Sequence, residues 1–138
     1  MTGVPCYLLD TNIILRFLRG DHATHSPRSK ALFDKARNGN VILEIPFIAI
    51  IETLHTLLKF YKVEKQLACQ EILKILNSRG IRFTGPHWIF EAFNEFLTRK
   101  ISFGDVCIAC EARSSGRVIA SFDGDFDLLA DVKRFEPK

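Results

Sequence analysis

Short apolar runs along the chain alternate with longer stretches in which apolar residues return every three or four positions. The runs predict strands and the periodic stretches predict helices. Cys6 to Leu9 predicts a buried strand, and Ile13 to Leu18 a short helix ending at Gly20. "HSPRSKALFDKARNGN" offers Ser26 as N-cap, Pro27 at the first helical position and an Asn-Gly stop, the marks of a helix. Val41 to Ile45 predicts a second strand, followed by a helix from Ile48 to Tyr61. Ala68, Ile72, Ile75 and Leu76 recur at helical spacing within Gln66 to Asn77, with Gly80 as the stop, and Ile81 to Phe83 predicts a third strand. In the next helix Ile89, Phe90, Phe93, Phe96 and Leu97 share one face, which predicts an aromatic core. A helix from Phe103 to Ser114, a strand from Val118 to Ala120 and a short strand near Val132 to Phe135 complete the order.

Strands separated by helices predict an α/β protein with a mainly parallel sheet and right-handed crossovers. With no repeat, linker or low-complexity tract in 138 residues, the expectation is one domain over residues 1–138. In such sheets ligands bind beyond the carboxyl ends of the strands, which selects the acids worth inspecting. Asp10 directly follows the first strand, and Glu52 lies in the second turn of the helix after the second. Asp123 follows the fourth strand, and Asp105 opens the helix before it.

Each acid has an ordinary structural explanation. Asp10 suits an N-cap, Ser102-x-x-Asp105 suits a capping box, Asp123-Gly124 suits a turn and Glu52 suits a surface charge. Helical wheels weaken that explanation. Ile50, Ile51, Leu54, Leu57, Leu58 and Tyr61 form an apolar arc, with Glu52 opposite beside Thr56 and Lys59. Asp105 points with Ile108, Ala109 and Ala112, toward the expected buried side, where an unpaired charge is expensive. If the acids converge, two carboxylates ~4 Å apart repel by about 4 kcal/mol at an effective dielectric of 20. A divalent cation offsets this, and an oxygen-only donor set selects Mg²⁺ or Mn²⁺ over zinc.

Composition and charge narrow the classes further. A 47% hydrophobic and 25% charged composition is that of a soluble globular protein. The N-terminus has no basic leader, and the longest apolar stretch is Phe47 to Ile51, too short to span a membrane. The expected compartment is therefore the cytoplasm. The net charge of +3 permits a polyanionic partner, and Arg16, Arg19, Arg28, Lys30, Lys35 and Arg37 outnumber Asp21 and Asp34 in one stretch. Solvated helix faces look alike and are the default explanation. Cys107 and Cys110 form a C-x-x-C without a second Cys or His pair, inside a helical pattern, so core packing is favoured over zinc or redox chemistry.

"LLDTNIILRFLRGD", "IIETLHTLLKFY", "ISFGDVCIACEA" and "VIASFDGDF", in this order, resemble the PIN-domain nucleases, and most of all the VapC-type toxins of toxin–antitoxin pairs. The resemblance implies a three-layer α/β/α domain and a Mg²⁺- or Mn²⁺-dependent endoribonuclease that yields 5′-phosphate and 3′-hydroxyl ends. Its four catalytic acids fall on Asp10, Glu52, Asp105 and Asp123. Asp10, Asp105 and Asp123 are then ligands of one or two metal ions, with Glu52 joining directly or through water. Thr11, Asn12 and Ser121 support the site, and Asp125 is the rival to Asp123 as fourth ligand. Arg16, Arg19 and Lys59 are candidate RNA contacts. A homodimer and a small antitoxin, whose C-terminal segment enters the groove, are implied partners, and no membrane is. Gly124 stands where relatives often carry a basic residue.

Two other classes compete. Phosphotransfer through an aspartyl phosphate on Asp10 calls for a second acid nearby, but Asn12 stands two residues on. A catalytically silent PIN-like module binding RNA or protein is the other, and its natural mark, loss of acids, is missing.

Overall fold

The computed structural model describes residues 3–138. They form two compact units, one running to Gly85 and the other from Pro86 to Lys138.

The first unit is built on three strands, β1 (Cys6–Leu8), β2 (Ile42–Pro46) and β3 (Ile81–Thr84). They pair in the order β1-β2-β3, and both pairings are parallel. Parallel neighbours require crossover connections, and helices supply them. Helices α1 (Thr11–Arg19) and α2 (His25–Arg37) connect β1 to β2, and α3 (Phe47–Lys59) and α4 (Lys65–Leu76) connect β2 to β3. The predicted α/β class and parallel pairing hold. Leu43 and Ile45 of the central strand are fully buried, with Ile14, Ile50, Leu54, Leu57 and Ile72 around them.

Several local expectations are corrected. β1 is not buried: it lies at the edge of this sheet, Tyr7 and Leu8 are exposed, and only Leu9 beyond it is inside. An unbroken apolar run cannot tell an edge strand from a central one, because both carry apolar side chains. α2 begins at His25, before the expected Ser26 cap, and the Thr24 side chain does not cap it. Instead the His22 ring Nδ1 accepts from the backbone N–H groups of His25 (2.9 Å) and Thr24 (3.3 Å). α4 ends at Leu76 with Asn77 as its C-cap, so Gly80 is no helix stop. Gly80 has φ +82° in the turn before β3, and a Cβ there would collide with the Ala36 carbonyl. A glycine is required twice over, by conformation and by close approach.

The second unit contains α5 (Ile89–Thr98), α6 (Phe103–Ser115) and two short parallel strands, β4 (Ile119–Ala120) and β5 (Arg134–Phe135). A 3-10 turn over Gly124–Leu128 lies between the strands. The expected aromatic core exists: Phe93 and Phe96 meet Phe103 at centroid distances of 5.0 and 5.4 Å. Phe90, placed on the same face by the wheel, is exposed, and Ala92 takes the inner position. Ile108 is exposed as well, so the buried face of α6 is Val106, Cys107, Ala109 and Cys110.

A half-buried ion pair joins the two helices of this unit. Arg113 on α6 grips Glu95 on α5 with two parallel bonds of 3.0 and 2.8 Å, and its Nε donates to the Ala130 carbonyl at 2.9 Å. The two side chains are only 21% and 18% exposed, so solvent screens the pair little. The Arg113 guanidinium is held more firmly protonated, first through its bonds to Glu95. Arg113→Met is expected to remove about 2 kcal/mol of stability, as the loss of charged hydrogen bonds typically does. Denaturant unfolding measures it; a loss below about 0.5 kcal/mol contradicts the clamp.

Candidate functional site

Asp10 stands at the N-cap of α1 with extended backbone (φ −80°, ψ 150°), yet its side chain makes no capping bond. The residue that chain direction favours as a cap is not used as one. The next residue, Thr11, donates its hydroxyl to Glu52 Oε1 at 2.6 Å, across 41 residues of sequence. This short, charge-assisted bond ties the start of α1 to the second turn of α3. The register accounts for the meeting. Leu8 lies opposite Glu44, the Leu9 N–H donates to the Glu44 carbonyl, and β2 runs directly into α3. Asp10 therefore emerges at the carboxyl edge of the sheet, where α3 begins. Glu52 is exposed, on the side of α3 away from the buried Ile50, Leu54 and Leu57.

In the second unit Asp105 is the third residue of α6 and half-buried. Its N–H donates to the Ser102 hydroxyl at 3.2 Å, one half of the expected capping box. No return bond from the Asp105 carboxylate is found among the described residues. A carboxylate in a first helical turn is favoured by the helix dipole. Asp123 caps the 3-10 turn: its Oδ1 accepts from the Asp125 N–H at 2.8 Å, and its own N–H donates to the Ser121 hydroxyl at 2.9 Å. The Ser121 hydroxyl therefore sits in the turn that carries Asp123. Asp127 is bound by Arg134 through two bonds of 3.1 and 2.9 Å, which lower its pKa and leave it unsuited to a ligand role. Asp125 has an exposed carboxylate and stays the rival of Asp123.

The donors present are carboxylate oxygens, which suit a hard cation. Among the described residues, no three or more His, Cys, Asp or Glu side chains gather closely enough to hold a metal. Within the first unit the candidate acids are two, Asp10 and Glu52, linked through Thr11, which follows Asp10 in sequence and bonds Glu52. A pair is compatible with Mg²⁺, which keeps several waters and is commonly held by one or two carboxylates.

Of the candidate RNA contacts, Arg16 reaches Asp21 loosely at 3.5 Å. Arg19 lies 5.2 Å over the Tyr61 ring and 3.9 Å from Glu71, so it is engaged inside the fold. Lys59 is exposed in the last turn of α3, where a cation also suits the helix dipole. Asn12 is exposed and lines a groove between α1 and α2. Arg28 and Lys35 line the same groove and were not singled out by sequence; only the basic stretch hinted at them.

A model of the PIN domain family matches residues 7–132. The chain belongs to the PIN domain family. PIN domains are generally nucleases and generally use divalent metal ions, so membership supports phosphodiester hydrolysis as the class of activity. No curated protein matches the chain. Among solved structures, VapBC2 from Rickettsia felis, bound to a DNA fragment from their promoter, is similar at 16% identity and a TM-score of 0.37. That similarity covers 95% of this PIN chain and 98% of the other. Among the described residues no helix is long and apolar enough to cross a membrane.

The C-x-x-C of this PIN domain packs as expected. Cys107 and Cys110 are buried and free, and burial pushes their thiols up to about 12 and about 11. A thiol so disfavoured as thiolate is a poor metal ligand or nucleophile. Cys69 is buried likewise, and Cys6 alone is exposed. In the native protein at pH 8, one thiol per chain should react rapidly with Ellman's reagent and the other three only after unfolding. Because burial raises these pKa values, the thiols favour the folded state fully below their ordinary value of 9.0. That contribution is lost as pH rises toward 12. Rapid reaction of all four thiols in folded protein rules the packing role out.

Proposed function

We propose that this PIN domain is a Mg²⁺- or Mn²⁺-dependent endoribonuclease, with residues 1–138 working as a single domain. The observation that carries the reading is the unused cap: the Asp10 side chain makes no capping bond, while Thr11 bonds Glu52 at the same edge. A capping role for Asp10 predicts a bond that is absent. The family model, which runs unbroken from residue 7 to 132, supports a single working domain.

Asp10 and Glu52 would hold the cation, with Asp105 and Asp123 as the further acids of the catalytic set and Asp125 as the alternative to Asp123. Bound there, the ion would supply Lewis acidity toward the phosphodiester and would lower the pKa of a water. Thr11 fixes the orientation of Glu52 by donating to one oxygen and leaving the other free. Ser121 sets the turn that presents Asp123. The four histidines are not needed as proton carriers, and two of them, His22 and His25, are stacked on each other at 4.1 Å.

The motif resemblance supports a toxin that acts on RNA in the cytoplasm as a homodimer, inhibited by a small antitoxin. These finer statements rest on "LLDTNIILRFLRGD" and its three companion motifs.

Asp10→Asn keeps size and most capping capacity but removes the charge. It should preserve or raise metal-free stability, by relieving repulsion with Glu52, while abolishing both Mn²⁺-induced stabilisation and RNA cleavage. At a free metal concentration of 100 times Kd the wild-type gain is about 2.7 kcal/mol, if the unfolded chain binds none. Thermal melts with and without Mn²⁺ beside an RNase assay on both proteins decide it. A fully active Asp10→Asn variant ends this mechanism.

A further inference from the structure

The groove between α1 and α2 has a volume of about 430 Å³, within the range of small-molecule sites. Ile13 and Leu32 give it an apolar floor, and Arg16, Arg28 and Lys35 stand along it. No carboxylate lines it.

The cations of α2 are divided between two faces. Lys30 and Arg37 both pair with Asp34, at 3.0 and 3.2 Å. Arg28 and Lys35 have no carboxylate partner among the described residues and face the groove. The i,i+4 and i,i+3 pairs with Asp34 are ordinary on a solvated helix, and what sets Arg28 and Lys35 apart is that they line a cleft without such a partner. Seven residues separate Arg28 from Lys35, so they share a face about 10 Å apart along the axis. The local field is positive enough to act on His25, whose imidazolium is disfavoured first by His22, then by burial, and then by Arg28 and Arg16.

We propose that this groove is a subsite for single-stranded RNA, with Arg28, Lys35 and Arg16 contacting phosphates and the floor meeting a ribose or base. The proposal rests on the nuclease reading above and extends it to where the strand lies. Asn12 lines the groove one residue from Thr11, so a strand lying there leads to the Asp10–Glu52 edge. A single strand is required because a paired base cannot turn onto the floor. The floor lacks an aromatic ring, so recognition is chiefly of the backbone, and affinity depends strongly on salt.

The test is fluorescence anisotropy of a labelled oligouridine with the full chain in EDTA, where no cleavage intervenes, across a series of salt concentrations. For single strands each phosphate contact contributes about 0.7 to the slope of log K against log salt. Arg28→Gln/Lys35→Gln should flatten the slope by about 1.4 and weaken binding. Arg28→Lys/Lys35→Arg, which keeps both charges, should restore the wild-type slope. Lys30→Gln/Arg37→Gln removes the same charge from the paired face and should leave the slope unchanged. Equal slopes for the two neutralising variants overturn the subsite, as they would if the groove instead takes an acidic protein segment. Retained Mn²⁺-dependent cleavage by wild type then shows that the nuclease reading stands without the subsite. Wild-type protein that neither binds nor cleaves RNA overturns both.

Discussion

Parallel pairing of β1, β2 and β3 is the constraint from which the candidate chemistry in the first unit follows. Each strand must enter the sheet from the same edge, so each connection leaves from the same opposite edge. The residue after β1 and the helix after β2 are thereby brought side by side, however far apart they stand in sequence. Thr11 and Glu52, 41 residues apart, hydrogen-bond because the sheet register leaves them there. A carboxylate at such an edge need not be buried to be positioned, and the exposure of Glu52 is no argument against a role for it. Positioning comes from the backbone and from one hydroxyl.

Local energetics decide what the acids are doing. A side-chain cap is worth about 1 kcal/mol to a helix, and Asp10 forgoes it. Asp123, at an equivalent place before the 3-10 turn, makes its capping bond. The two acids are chemically identical and locally similar, so the difference is one of environment rather than propensity. Asp123 can serve its turn through Oδ1 and still present Oδ2 outward. Asp127 cannot do likewise, because Arg134 occupies both of its oxygens. Engagement by cations separates the acids of "DGDFD" better than their order in the chain does.

The strand and helix order was legible because period and punctuation report it directly, and it was right to within a few residues at most ends. Burial was less legible. Leu8 and Phe90 are as apolar as their buried neighbours, yet both are exposed. On α3 the wheel favoured Ile51 and Leu58, whereas the fully buried positions include Ala49 and Thr53. A wheel weighted by hydropathy is drawn to large aliphatic residues, but space beneath a helix favours small ones too. The cap on α2 was illegible for another reason. A histidine ring accepting backbone N–H groups is no recognised stop or start signal, and Ser26 beside it looked conventional. Its hydroxyl instead accepts from the His22 N–H, closing the same turn from the other side. The Glu95–Arg113 clamp escaped notice because eighteen residues and a loop separate two charges that a sequence reading leaves on the surface.

Charge is where sequence and structure differ most usefully. A count of basic residues between Arg16 and Arg37 gives one excess, which a solvated helix explains as well as a binding surface does. Folding resolves that excess into cations with partners and cations without. Arg19 is spent on Tyr61 and Glu71, and Lys30 and Arg37 on Asp34. Arg28 and Lys35, without a carboxylate partner among the described residues, face one groove, and α1 carries that groove's other wall from the residue that follows Thr11. α1 therefore begins at Asp10 and the Thr11–Glu52 bond, and its flank carries Arg16 in the same groove as Arg28 and Lys35 of α2. A metal ion needs the first sign of charge and a phosphate chain the second. Asp10 stands at the start of α1 and Arg16 on its groove face six residues on, so this helix sets the two signs of charge about 9 Å apart along its axis.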